Sequence, residues 1–415
     1  MAETKKFEVN KEDRWPKDSV NMFKNDKKSQ YFIEISSGTN LHEEFYKYAA
    51  NFKNAAYFVT EHVLETGAID KLDTYFFAIA FLYRHSLELI MKAIGFKYVP
   101  NRESFIEDTF HNLFEIMSVV NNYIQPNIQN NVAAHEWLMS YLIDIGKIDK
   151  ASDSFRYPFL WNISKCEYMG EGKRRYDIES VFKEQTHIDL VKFANKMEVA
   201  FAIIESYYFD AEIKFTEHSK YSPIFLEEGG PYKGQSVVGY PHNQNKYDPY
   251  IKAYVESAIY LKNLVMTNTK TKEDMFFPMC YLFRNSIELG LKQIWFCYGD
   301  TGFQEICKQI FDRKHSVLRL WTLIEETVEN DTQMDGTIEI VRKYINQLHN
   351  YDPSSDKFRY PCDRHLNFHF KNAIELDFEN VAEFFEELAE FFDRVDLVLG
   401  LNEEWRAEAE SNYTR

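Results

Sequence analysis

Arg84 and Glu88 stand four residues apart in a stretch that is otherwise almost wholly apolar, and Arg284 and Glu288 repeat the arrangement 200 residues later. A guanidinium is permanently charged and offers a planar fork that suits phosphate or carboxylate. A carboxylate one helical turn away can pair with it, orient an imidazole, or take a proton itself. Each pair is followed by a histidine that opens an apolar helix, His111 in HNLFEIM and His315 in HSVLRLW. Further on, each is followed by Phe-Arg-Tyr-Pro, which supplies Arg156 with Tyr157 and Arg359 with Tyr360. Arginine, histidine, glutamate and tyrosine together can bind a phosphate, move a proton and stack on a base. The same residues also fit a structural role. A charge pair in a buried helix fixes its register, and desolvating each ion is costly unless neighbours compensate. On chemistry alone this internal ion pair is the better-supported reading of Arg84–Glu88 and Arg284–Glu288. The histidines equally suit capping and packing. For Phe-Arg-Tyr-Pro the expectation is a rigid turn docked on the central helix, with Arg156 and Arg359 pairing Glu88 and Glu288.

The elements that must hold these residues occur twice. Phe76 to Tyr98 reads FFAIAFLYRHSLELIMKAIGFKY, and Phe276 to Tyr298 reads FFPMCYLFRNSIELGLKQIWFCY, with 11 of 23 positions identical. DKASDSFRYP from Asp149 matches DPSSDKFRYP from Asp352. Three blocks in one order at nearly constant separation mark a tandem duplication. The copies run over 41–215 and 247–401. Between them, 216–246 gathers glycines and prolines in a chain otherwise poor in both and reads as a connector. Residues 1–40 read as an arm or edge, and 402–415 as a tail. Helices are expected over 43–65 and 250–266, in the shared blocks, after each histidine, before each Phe-Arg-Tyr-Pro, and over 188–208 and 378–399. Strand-like patches at 175–181 and 365–370 suit a small β-hairpin in each copy. The expected fold is therefore all-α in the main, two bundles of four or five helices.

Composition bounds the function. The chain has 415 residues, 45% apolar and 27% charged, which is the balance of a globular protein. Sparse Gly and Pro argue against an all-β fold, and the abundant Phe and Tyr supply large core side chains. A net charge of −17 repels nucleic acid at long range, so any contact with RNA must be local. Five cysteines without a Cys-x-x-Cys pair support neither a disulfide framework nor a zinc ribbon. No apolar run approaches membrane-spanning length and the opening residues lack a secretion-type stretch, so a cytoplasmic protein without membrane contact is expected.

Tyr-Arg-His-Ser-Leu-Glu-Leu-Ile-Met-Lys from Tyr83, with the later His-Asn-Leu, resembles bacterial members of the HEPN superfamily. These are helical-bundle domains, many of them metal-independent endoribonucleases of toxin–antitoxin and antiphage systems. Their hallmark is an Arg, usually followed at once by Asn, Asp or His, with a catalytic His four to six residues beyond the Arg. Arg84-His85 and Arg284-Asn285 match the first half. The second half is absent, because Leu89, Ile90, Leu289 and Gly290 stand where the histidine belongs. The resemblance implies two bundles related by a pseudo-twofold axis on which Arg84 and Arg284 converge to hold a scissile phosphate. It implies RNA as substrate, no cofactor or metal, and a protein regulator or antitoxin as a further partner. With the usual histidine missing, the candidates for proton transfer are His111, His315, Glu88 and Glu288. His85, Asn285, Arg156, Tyr157, Arg359 and Tyr360 are the candidates for substrate contact. The competing expectation is a catalytically inactive HEPN-like module that binds a partner protein or a nucleotide.

Other signals are weaker. Lys173-Arg174-Arg175 is a basic patch at an expected hairpin tip, which can touch RNA or simply be a solvated turn. Cys362, His365 and His369 lie close in sequence, but the first copy has no matching set, and spacing alone does not establish metal geometry. A DNA-binding regulator is disfavoured by net charge and by the lack of a helix-turn-helix pattern.

Overall fold

A computed structural model describes residues 15–165, 174–182, 187–230, 234–238, 246–332 and 336–413. Among them the chain is mainly helical with a few short strands. It begins with β1 (Phe32–Ile35) and α1 (Leu41–Thr66), then α2 (Ile69–Tyr98), α3 (Arg102–Thr109), α4 (Leu113–Asn121), α5 (Gln125–Asn130) and α6 (Val132–Ile148). There follow β2 (Phe159–Lys165), β3 (Arg174–Ser180), β4 (His187–Asp189), α7 (Leu190–Tyr208) and β5 (Gln235–Val237). The remainder is α8 (Asp248–Met266), α9 (Lys272–Tyr298), α10 (Phe303–Arg313), α11 (Val317–Thr332), α12 (Thr337–Tyr351), β6 (Ile374–Asp377) and α13 (Phe378–Tyr413).

The all-α expectation holds at this coarse level, and most helix positions fall where the apolar spacing put them. α2 and α9 carry the two matched blocks. Both are buried on all sides over their central turns, as an apolar sequence without a polar face requires. Around them pack α1 and α8, and these four helices meet along an aromatic seam. Tyr48 stacks on Phe277 at 4.3 Å, Phe77 on Tyr250 at 3.9 Å and Phe81 on Tyr281 at 4.7 Å between ring centroids.

Some elements depart from expectation. Residues 15–35 are docked on the second half: β1 pairs antiparallel with β6, Trp15 donates to Thr337, and Lys17 pairs with Glu387 at 2.6 Å. Met22, fully buried, joins the core. α13 runs on through the expected tail, and Asn402 donates to the Asp331 carbonyl. Among the described residues the hairpin strands form in the first half only, where β2 pairs with β3. After Tyr360 the chain makes a turn closed by one bridge between Cys362 and Phe368. Lys173 lies outside the described residues. Arg174 and Arg175 are exposed, and Arg175 pairs with Asp177. The four described cysteines are free.

Candidate functional site

Two clusters of the same composition form around Glu88 and Glu288. Both glutamates are wholly buried and each serves four partners. Glu88 accepts from Arg84 Nη1 at 2.5 Å, Lys92 Nζ at 2.8 Å, His111 Nδ1 at 2.9 Å and the Tyr360 hydroxyl at 2.8 Å. Glu288 accepts from Arg284 Nη1 at 3.2 Å, Lys292 Nζ at 2.7 Å, His315 Nδ1 at 3.0 Å and the Tyr157 hydroxyl at 3.0 Å. The first three partners come from the glutamate's own half. The tyrosine comes from the other half.

Arg84 and Arg284 have no exposed surface. Besides the glutamate, each donates through Nη2 to the backbone carbonyl of the cluster's histidine, and its Nε faces Asp149 or Asp352, at 3.0 and 3.9 Å. The guanidinium thus ties together a helix, the turn before the next helix and the turn after a third. Those turns are locally specified. Phe110 and Lys314 adopt positive φ, 44° and 50°, just before the histidines. Asn112 then caps α4 by accepting from Phe114 and Glu115.

The Phe-Arg-Tyr-Pro turn is built by the residues ahead of it. Asp149 Oδ1 accepts from the backbone of Asp153 and Ser154, and Asp352 Oδ1 from Asp356 and Lys357. Ser152 and Ser355 take positive φ, 65° and 64°. Arg156 and Arg359 are used inside this turn. They donate through Nε to Ser152 and Ser355 carbonyls and pair with Asp153 and Asp356. The expected pairing of Arg156 and Arg359 with Glu88 and Glu288 is therefore replaced. The neighbouring tyrosine reaches the carboxylate, and it reaches the one across the seam. Tyr250 and Tyr254 of α8 hold the first turn in place by donating to the Ser154 and Phe155 carbonyls.

His85 and Asn285 sit on the seam without exposure. His85 Nε2 lies 3.1 Å from the Arg359 carbonyl with its ring stacked on Phe81, and Asn285 accepts from Tyr281 at 3.4 Å. Burial, the chief influence, pushes His85 well below the ordinary histidine range.

Of the candidates, His111 and His315 reach solvent most, with side chains 37% and 35% exposed. Nδ1 also lies 3.2 and 2.9 Å from the Tyr360 and Tyr157 hydroxyls, respectively. Because each hydroxyl donates its proton to the carboxylate and the carboxylate can only accept, Nδ1 carries the proton in each. Nε2 then presents its lone pair, with no hydrogen-bond partner among the described residues. Glu88 or Glu288 is the largest influence and pulls the imidazole pKa up. Burial, the adjacent lysine and the arginine of the crossing turn outweigh it, so both histidines lie below their usual value. Burial pushes the glutamates up, yet lysine, histidine and arginine together hold both well below the ordinary carboxylate range. Tyr157 and Tyr360 are driven well above theirs, by burial first and the glutamate next, and stay protonated donors.

Lys92 and Lys292 were missed from the sequence, although each is identical in the two matched blocks and one turn past the glutamate. Asp149 and Asp352 were likewise missed, although each opens a matched block. Cys362, His365 and His369 form no metal-type cluster; among the described residues no three His, Cys, Asp or Glu side chains stand together as a metal site would need. No described helix is long and apolar enough to cross a membrane. No protein-family model, curated protein or solved structure significantly matches this chain.

Proposed function

We propose that the chain is a tandem pair of HEPN-like bundles related by a pseudo-twofold axis, and that it cleaves RNA without a metal. In this reading it is the effector of a bacterial defence or toxin–antitoxin system, working in the cytoplasm and restrained by a protein regulator. One observation carries the catalytic part: a partly exposed imidazole held at Nδ1 by a buried carboxylate, with no hydrogen-bond partner at Nε2 among the described residues, occurs twice. Such a group is neutral near pH 7 and suited to take the proton of a 2′-hydroxyl as it attacks the adjacent phosphorus. The P–O5′ bond then breaks, and the 5′-oxygen leaves with a proton returned by the imidazolium or taken from water. Lys92 and Lys292 share the carboxylate oxygen that holds the ring and so place a positive charge near the imidazole. Arg84 and Arg284 act in this reading as positioning residues, fixing the histidine turn through its carbonyl, in place of the phosphate contact that the family resemblance implies.

The test is incubation of purified protein with single-stranded RNA in excess EDTA, beside a His111→Ala/His315→Ala variant whose circular dichroism matches the parent. Cleavage by the parent and loss of at least about 100-fold in the variant is the expected result, given the usual worth of a general base. Undiminished cleavage by the variant, or loss of parental cleavage in EDTA, would remove the histidines or the metal-independent chemistry from the account.

The complete withdrawal of Arg84 and Arg284 from solvent favours a second reading, a catalytically silent module that binds a protein or nucleotide. A parent protein that cleaves no RNA but retains a specific partner would support it.

A further inference from the structure

The two clusters match inside but differ at their mouths. At the second, the β2–β3 hairpin of the first half is laid against α10 of the second. Gln304 clamps Tyr176 by donating to its carbonyl and accepting from its N–H, both within 2.9 Å. Phe311 sits 6.0 Å from Trp161 and 5.8 Å from Tyr176 between ring centroids. The hairpin and α10 enclose a groove of about 260 Å³ that opens beside His315. Its lining combines the aromatic Phe159, Trp161 and Phe311 with the basic Lys292, Lys314 and His315. Tyr157, also in the lining, joins the groove to Glu288. The carboxylate in the lining is Asp153, already paired with Arg156 at 2.6 Å.

The first cluster lacks the matching residues. Aligning Tyr360 with Tyr157 puts Cys362 and Arg364 where Phe159 and Trp161 stand, on a short turn in place of a hairpin. Phe110 stands where the second half has Lys314. The two aromatic residues and the lysine thus stand together at the second cluster and not at the aligned positions of the first.

We propose that this groove binds a small aromatic anion, one flat ring system carrying a single phosphate or carboxylate group. Aromatic side chains bury a planar ring, and a lysine in the lining meets an anion where the chain as a whole would repel it. The cavity is smaller than the roughly 300–1,000 Å³ of pockets that enclose drug-sized molecules, so it takes one ring system and not a chain of them. The anion lies against Lys314 and His315, and the ring against Trp161 and Phe311. The proposal deepens the reading of the second cluster as a working site but does not depend on RNA cleavage.

The test is calorimetric titration of the full chain with adenosine 5′-monophosphate, indole-3-carboxylate, adenosine and inorganic phosphate. One site per chain is expected for either or both of the aromatic anions, with adenosine and phosphate each at least tenfold weaker. The two aromatic arms separate a phosphate-bearing from a carboxylate-bearing ligand. Lys314→Asn removes the charge while tolerating the positive φ of that position, and Trp161→Ala removes an aromatic ring of the lining; each is expected to weaken binding tenfold or more. Arg364→Ala, the aligned position at the first cluster, is expected to change it less than twofold. Absence of saturable binding by both aromatic anions would overturn the proposal. So would phosphate binding as tightly as they do, or affinity indifferent to both groove variants. Binding in a protein that cleaves no RNA leaves the groove standing and removes the cleavage reading. Cleavage without such binding does the reverse.

Discussion

Glu88 and Glu288 each answer four donors with two oxygens, three of them at Oε1, and this sets what their loss would do. Arg84 and Lys92 are buried with few other acceptors, so Glu88→Gln leaves cations in a dry interior with less than their charge in return. The expected cost is about 3–5 kcal/mol, the range for breaking one side of a buried ion pair. Denaturant unfolding should show it, while Glu329→Gln on an exposed face should stay within about 0.5 kcal/mol of the parent. A shift below about 1 kcal/mol for Glu88→Gln would mean that the glutamate is not the hub described.

The same residues set a pH dependence. His111 and His315 are lowered from 6.5 in the folded chain, so the unfolded chain gains protons first as pH falls below that value, and stability declines. Glu88 and Glu288 are lowered from 4.5, so their contribution is full above that value and is lost as pH falls toward their folded values. Both effects have one sign. Melting temperature is expected to drop between pH 7.5 and 5.5, and to drop less in a His111→Gln/His315→Gln protein. An equal or larger drop in that variant would contradict the assignment.

At the scale of elements, the close approach of α2 to α3 depends on Gly95. A methyl group there would collide with the Phe105 ring. The second half solves the same packing the other way round, with Trp295 in the glycine's place and its indole N–H donating to Gln309. Gly95→Ala is expected to cost about 1–3 kcal/mol by overpacking. Gly146→Ala in α6, where the added methyl meets nothing within 4 Å, should instead add about 0.5–1 kcal/mol. Comparing the two denaturation midpoints checks this, and equal signs would contradict it.

Much at this scale was legible in the sequence. The apolar run of α2 and α9 announced buried central helices, and Asp-x-x-Ser-Asp-x-Phe-Arg-Tyr-Pro announced a turn. Which of two adjacent side chains would meet the glutamate was not legible. That choice depends on the positive φ at Ser152 and Ser355, which folds Arg156 and Arg359 back on their own turn and sends the tyrosine outward. Nor does local pattern connect Tyr157 with Glu288 across 131 residues, or Tyr360 with Glu88 across 272. The groove was hidden for the same reason, since its walls come from opposite halves. By contrast Lys92 and Lys292 stood in plain view, one turn beyond the glutamate in both matched blocks.

In the whole molecule the halves are interlocked three ways: by the aromatic seam, by strand pairing of β1 with β6, and by the exchanged tyrosines. A polypeptide of residues 247–415 alone lacks β1, the docked 15–31 segment and Tyr157. It is expected to unfold without a cooperative transition, and to recover one when mixed with residues 1–246, followed by near-ultraviolet circular dichroism. Cooperative unfolding of 247–415 alone would show that the interlock is dispensable.

The exchange of tyrosines is the central claim, because it makes each imidazole the product of both halves. Nuclear magnetic resonance titration of the histidine ring signals in Tyr157→Phe and Tyr360→Phe proteins tests it directly. Tyr157→Phe should move the titration of His315 and leave His111 in place, and Tyr360→Phe should do the opposite. Each substitution perturbing the histidine of its own half, or neither perturbing any, would contradict the account.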